Sequence, residues 1–488
     1  MAWVDPDTHG WVHHPRTAAD WDKLRAEYGA AADAPLASVF RTVRANSCRT
    51  VVVENRYVDP DYRSEYSAFW SHRFLDRPAF ARRMHFFRRR IPEAQIHKLP
   101  ANHGYLGYCT LRPLDHGLVG RTMIAPPDRL AAKATLTLAA DKVSLWGNSL
   151  DVRAAPFCEQ DLEYLRCAHA AAWMCHYYAA CKGLVGRKLT SEVVALTPLG
   201  GNVDRALPSK GLYPHQLQAI FGATGQPALF YVIADLPSVE GVVDPPEEFE
   251  PDGKTPRDRG RYDTRVFSVL CRYLNAGFPV LVGTTDHAFV VVGWYRKRGT
   301  RIRFVVCDDQ RGPYEVVKSP FTDPRAPWRT IMVPLPPKVY LSGEVAESTT
   351  HYLIRAWASN AIALPEWKHL ADALMRKNKE ISLRTFLRSN VDYKALLDKQ
   401  GRGAEATRVL RLARLPHWVW VVEAHDRKRR EEGKPSVLAE VVYDSTSSDE
   451  TPFWLAMSMP GFTTTSPPGD GTPDAVQTPR RPWRTHLR

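Results

Sequence analysis

Residues 283–314, "GTTDHAFVVVGWYRKRGTRIRFVVCDDQRGPY", constrain the fold more than any other stretch of the chain. Two apolar, β-branched runs are separated by a basic, Gly-containing turn, the pattern of an antiparallel hairpin. His287 opens the first run, and Asp308 and Asp309 close the second. Pairing the runs brings the imidazole and Asp308 or Asp309 near one sheet edge. The surrounding sequence predicts further strands at 278–283, 287–295, 302–307 and 314–317. A helical pattern in "DTRVFSVLCRYLNAG" precedes them and stops at Gly277. One helix followed by closely spaced antiparallel strands is an α+β layout.

At 488 residues the chain exceeds the size at which one core stops growing. Its rhythm suggests four segments. Residues 1–150 read as an N-terminal α+β subdomain, with a short helix in "TAADWDKLRAEYGA", a strand in "CRTVVVENRYVD" and helix-like aromatic spacing over 63–90. Residues 151–345 hold a long apolar helix at about 165–182, ended by Gly183, and the strands above. Residues 346–459 show helical patterns at 350–378 and 381–397. They end in "HWVWVVEAHDRKRREEGKPSVLAEVVYDST", two apolar runs around a charged loop, which reads as a hairpin. Residues 460–488, rich in Pro, Thr and Gly with several Arg, read as a disordered basic tail. Residues 240–261, dense in Pro, Gly and charge, read as an exposed loop that could cover a cleft.

The composition excludes several classes. No apolar run approaches the roughly 20 residues that span a bilayer. The first residues lack the basic and apolar regions of a secretory signal, so a cytoplasmic protein without membrane attachment is expected. Eight cysteines without a CxxC pair argue for free thiols. His13, His14, His169 and His176 lack metal-ligand spacing with them, so no metal and no cofactor are expected. A net charge of +13 allows an acidic partner or nucleic acid, yet the basic clusters accompany no nucleic-acid-binding motif.

An imidazole held by a carboxylate needs a nucleophile. No GxSxG elbow occurs, which turns attention to cysteine. A reactive thiol gains from a helix N-terminus, where the macrodipole favours thiolate. Only Cys158 and Cys167 lie near the start of the long helix. Cys167 is followed by the small run Ala168, His169, Ala170, Ala171 and Ala172, which would let the first turn approach a sheet. Cys175 and Cys181 fall inside the helix, and Trp173, Tyr177 and Tyr178 read as core. Gln160, seven residues before Cys167, could donate to an oxyanion together with the backbone N–H of Cys167.

The order Gln, Cys opening a helix, His opening a strand and Asp ending the next strand resembles the papain-like cysteine peptidase superfamily. "GFPVLVGTTDHAFVVVGWY" followed by "FVVCDDQRG" is most similar to its bacterial branch, which includes the bacteriocin-leader (double-glycine) peptidase domains of export transporters. The resemblance spans roughly residues 155–320. It implies a papain-like core, a nucleophile helix packed on an antiparallel sheet, with Cys167 as nucleophile, His287 as general base and acid, and Gln160 as oxyanion donor. The spacing to Gly312 matches the transporter-peptidase turn through Asp308 and the papain-type turn through Asp309, with Asp308 the slightly better fit. The family places its Gln one residue closer to the Cys and has a Gly-rich approach and an adjacent Trp, which this chain lacks. The implied activity is a peptidase or isopeptidase that forms a thioester with a protein or peptide substrate. Two other readings fit the same residues: a catalytically silent binding module for an acidic partner or nucleic acid, and a transglutaminase-like acyltransferase.

Overall fold

A computed structural model describes residues 11–28, 33–198, 211–236, 259–296, 302–317, 327–359, 381–459, 461–466, 475–477 and 481–485. The architecture is mixed α and β with antiparallel sheets. Two compact units are present, one formed by Met1–Asp235 with Gly277–Pro336, the other by Leu236–Ala276 with Pro337–Arg488. Segments 1–150 and 151–345, distinguished by rhythm in the sequence, thus largely share one unit. Most of the 240–261 loop and the 360–378 part of the expected helix lie outside the described residues.

The first unit holds two sheets. One orders β1 (Trp11–His13), β2 (Thr50–Tyr57), β3 (Ala81–Phe87), β4 (Tyr105–Leu111), β5 (Val119–Ile124), then β8 (Asn148–Phe157) and β7 (Ala139–Leu145). The stretch 81–87 is a central strand rather than the helix suggested by its aromatic spacing. All seven residues are buried, so both faces are covered and alternation is lost. Its Arg83 is satisfied by side chains and a carbonyl, donating to Glu54, Tyr57 and the carbonyl of Ser144. Tyr108 on β4 donates to Asp141 on β7, so side chains bridge the middle of the sheet to its last strand.

The second sheet contains β9 (Ala228–Val232), β10 (Val280–Gly283), β11 (Ala288–Arg296), β12 (Ile302–Asp308), β13 (Gly312–Val317) and β14 (Thr330–Pro334), in the order β13-β12-β11-β10-β14-β9. A short β6 (Thr135–Leu136) adds to β11. The helix Cys167–Cys181 packs on β11, and nearly every residue from Ala168 to Ala179 is buried. A helix that is apolar all round belongs inside a core. Ala170, Ala171, Ala172 and Trp173 join Val290, Val292, Val305 and Cys307 in one cluster. Each Ala in place of a larger residue shortens the approach of helix to sheet. Tyr177 and Tyr178 are also core residues, with hydroxyls donating to Asp141 and to the carbonyl of Gly277.

The second unit is built on a third sheet, β15 (Ile381–Ser389), β16 (Trp418–Asp426), β17 (Val437–Asp444), β18 (Trp454–Met459), β19 (Phe462–Thr465) and β20 (Ala475–Val476), in sequence order. The expected hairpin is present as β16 and β17. Residues 381–389, read as helix, form a strand against β16, and the helix begins only at Asn390. Ser389 caps it by accepting the N–H of Asp392, so the Ser-x-x-Asp spacing marks the true start. The tail read as disordered supplies β19, β20 and the buried Trp483, which bridges to Val437. β-Branched threonines suit a strand even in a low-complexity stretch. Among the described residues, no helix is long and apolar enough to cross a membrane.

Candidate active site

All five candidate residues lie in the first unit. Cys167 is the first residue of the long helix, preceded by Arg166 in extended backbone. The segment leading to it is fixed residue by residue. The buried Arg112 donates to Glu65, to the carbonyl of Gly117 and to the carbonyl of Glu159. Asp161 accepts three backbone N–H groups, from Glu163, Tyr164 and Leu165, at 2.7–2.9 Å. Gln160 sits between these two anchored neighbours and is itself buried.

His287 and Asp308 reach each other because β11 and β12 pair with Val290 opposite Cys307. A tight turn from β10 sets the imidazole: the N–H of Thr284 donates to the carbonyl of His287, and the N–H of His287 donates to Thr284 Oγ1. His287 Nε2 is 3.0 Å from Asp308 Oδ1 and 3.5 Å from Asp309 Oδ1. Asp308 Oδ1 also accepts the N–H of Gln310, which orients the carboxylate. Gly312 ends this turn with φ +114°, and a Cβ there would meet Ser38 Cβ at 2.3 Å. Only glycine fits both demands.

Of the two carboxylates, Asp308 makes the hydrogen bond. Asp309 is fully buried, and neither of its oxygens has a hydrogen-bond partner. Burial pushes its pKa up to about 8, with His287 pulling it down and Asp308 adding to the rise. Burial alone would lower the His287 pKa, but hydrogen bonds with Asp308 and Cys167 and the charges of Asp309 and Asp308 raise it to about 10. At neutral pH the site therefore holds His287 as an imidazolium beside a protonated Asp309.

Gln160 is placed differently from the expectation of a free oxyanion donor. Its Oε1 accepts the backbone N–H of Cys167 at 3.1 Å. That bond caps the helix and occupies the N–H that would itself serve an oxyanion. A carbonyl oxygen could gain both donors only if Gln160 turned its amide. Gln310 is an addition that spacing did not signal: its Nε2 lies 3.4 Å from His287 Nδ1, the nitrogen left free by Asp308. The residue was visible in "DDQRG", but its reach toward the ring depends on the turn that Gly312 permits.

Every cysteine is a free thiol. Cys158, the other thiol near the helix start, is buried behind it with its Sγ 3.9 Å from the carbonyl of Ala170. Burial pushes its pKa well above the ordinary range, and does the same more mildly for Cys48, Cys109 and Cys307, to about 12 each. Cys167 is half-buried, and among the thiols it is the one that contributes to the raised pKa of His287. His287, Asp308 and Asp309 also place one ligand atom each within 4.8 Å of one another, so they are the group that could hold a cation among the described residues. The hydrogen bond of Nε2 to Asp308 accounts for their grouping without an ion. His169 and His176 are engaged elsewhere, with Thr197 and with Gln226.

Comparison with protein-family models finds no match for the chain. Comparison with curated proteins finds none either.

Proposed function

We propose that the chain is a papain-like cysteine hydrolase that cleaves peptide or isopeptide bonds of a protein substrate through a thioester. The observation that carries this reading is the His287 Nε2–Asp308 Oδ1 pair at 3.0 Å at the start of β11, with Cys167 heading the helix that packs on that same strand. The packing of that helix on β11 of an antiparallel sheet supports the papain-like core.

In the proposed reaction the nucleophile is the Cys167 thiolate. The sulfur attacks the substrate carbonyl and forms a C–S bond. The C–N bond breaks as His287 gives its proton to the leaving nitrogen. Water then attacks the thioester, His287 takes its proton, and the C–S bond breaks to release a carboxylate. Asp308 holds the ring and balances the imidazolium throughout. Rotation of Gln160 would free the Cys167 N–H and its own Nε2 for the oxyanion.

The test is alkylation of Cys167 by iodoacetamide, located by peptide mass spectrometry, in the wild type and in His287→Ala. Fast labelling of Cys167 ahead of the other seven thiols, slowed at least ten-fold in the variant, is expected. Equal rates in the two proteins would remove the dyad and with it the hydrolase. A peptide and isopeptide library screen on the labelled-competent protein then separates hydrolysis from acyl transfer.

A further inference from the structure

Four arginines converge on a cleft far along the chain from the thiol. Its volume is about 500 Å³, and Arg16, Arg44, Arg49 and Arg90 line it together with His14 and Trp21. No acidic residue is among the lining residues. Among the described residues, none of the four guanidinium groups makes an ion pair or side-chain hydrogen bond. The buried arginines Arg83, Arg112, Arg121, Arg272 and Arg402 each meet a carboxylate.

The local structure explains the convergence. The helix Ala34–Ala45 ends in Asn46, and Ser47 follows at φ +58°, a conformation unusual for a residue with a side chain. The chain reverses there, so Arg44 and Arg49 flank one opening. Arg16 comes from the segment after β1, and Arg90 from the segment after β3. The buried Trp21 and Pro15 supply an apolar wall. His14 reports the resulting field: burial lowers its pKa, and the charges of Arg90 and Arg16 lower it further.

We infer that this cleft binds the di- or triphosphate group of a small molecule, either a nucleotide or an inorganic polyphosphate. Gathering like charges in a half-enclosed space costs free energy unless an anion offsets it. Guanidinium forks match phosphate oxygens two at a time, and four forks suit a ligand with three or four negative charges better than a single carboxylate. The volume falls within the range of small-molecule sites, roughly 300–1,000 Å³. A nucleic-acid strand would instead need a basic track with stacked aromatic platforms, and Trp21 is too deeply buried to stack on a base. The inference is independent of the chemistry at Cys167.

The experiment is isothermal titration of the full chain with ATP, with sodium tripolyphosphate and with a short oligodeoxythymidine. Saturable one-site binding of ATP or tripolyphosphate is expected, weakened about ten-fold or more in Arg16→Glu/Arg90→Glu. Arg44→Gln/Arg49→Gln should weaken it as well. Arg129→Glu/Arg153→Glu, with the same change of charge at exposed positions outside the cleft, should leave it unchanged. Tighter binding of ATP than of tripolyphosphate identifies a nucleotide, and equal binding identifies inorganic polyphosphate. Circular dichroism of each variant verifies that it is folded. Three results would overturn the site: no saturation by either anion, equal weakening by the control pair, or binding of the oligonucleotide alone.

Discussion

His287 Nε2 and Asp308 Oδ1 stand 3.0 Å apart at the ends of neighbouring strands, and this pair governs how the candidate site titrates. The imidazole is buried enough to be discouraged from carrying charge, yet the carboxylates and the thiol hold its proton to about pH 10. In NMR titration the ring of His287 should therefore change state near pH 10 in the wild type. In Asp308→Asn it should titrate several units lower, because burial then faces less opposing charge. A wild-type midpoint near 6.5 would show that the pair does not hold the proton.

The same proton is linked to stability. A histidine whose folded pKa is raised stabilises the fold fully below its unfolded value, near 6.5, and loses that contribution as pH rises through about 10. Denaturant unfolding of the wild type should weaken over that window by up to roughly 3–5 kcal/mol. His287→Gln, which cannot titrate, should show a flatter profile there.

Asp309 carries the opposite chemistry with the same sign. Its folded pKa, about 8, lies above that of an unfolded aspartate, so raising the pH from about 4 to 8 costs stability in the wild type. Asp309→Asn should therefore gain on the wild type across that range and hold a constant advantage above it, up to roughly 2–4 kcal/mol. Thermal unfolding at several pH values measures the gap. A gap that narrows with rising pH would contradict the burial of a carboxyl that no hydrogen bond satisfies.

Arg112→Met should destabilise the first unit by roughly 3–5 kcal/mol, because it strands the buried Glu65 and releases the carbonyls of Gly117 and Glu159. The double variant Arg112→Met/Glu65→Leu should recover part of the loss, since no buried charge is then left unpaired. Chemical denaturation of the three variants and the wild type decides it.

Gly312→Ala should cost at least about 2 kcal/mol, from the positive φ and the overlap with Ser38. Because the turn at 308–312 orients Asp308, the variant should also lower the pH at which His287 titrates. A stable variant with an unchanged titration would show that the turn is indifferent to this residue.

The parts of the site that the sequence disclosed are those fixed by local pattern. His287 and the aspartates stand at the ends of apolar runs, and strand pairing then has few ways to arrange them. Cys167 is marked by the small residues after it, which are explained by the close approach of helix to sheet. What escaped depends on contacts distant in sequence. The hydrogen bond of Gln160 to the Cys167 N–H turns on an arginine 47 positions from the glutamate that it pairs with, and no local period records such a pairing. The strand at 81–87 escaped because burial on both faces erases alternation, and the strand at 381–389 because it runs directly into a helix. The C-terminal strands escape because Pro- and Gly-rich composition around the threonines masks their β-propensity.

The first unit is interrupted in sequence: its chain leaves after Asp235 and returns at Gly277. A ribosome therefore releases Cys167 well before it has made His287, and the strand that carries the base can pair only after the intervening stretch has emerged. A nascent or prematurely ended chain holds the thiol without its proposed general base. Under the proposed chemistry, the order of the genetic message itself keeps unfinished copies from cutting their neighbours.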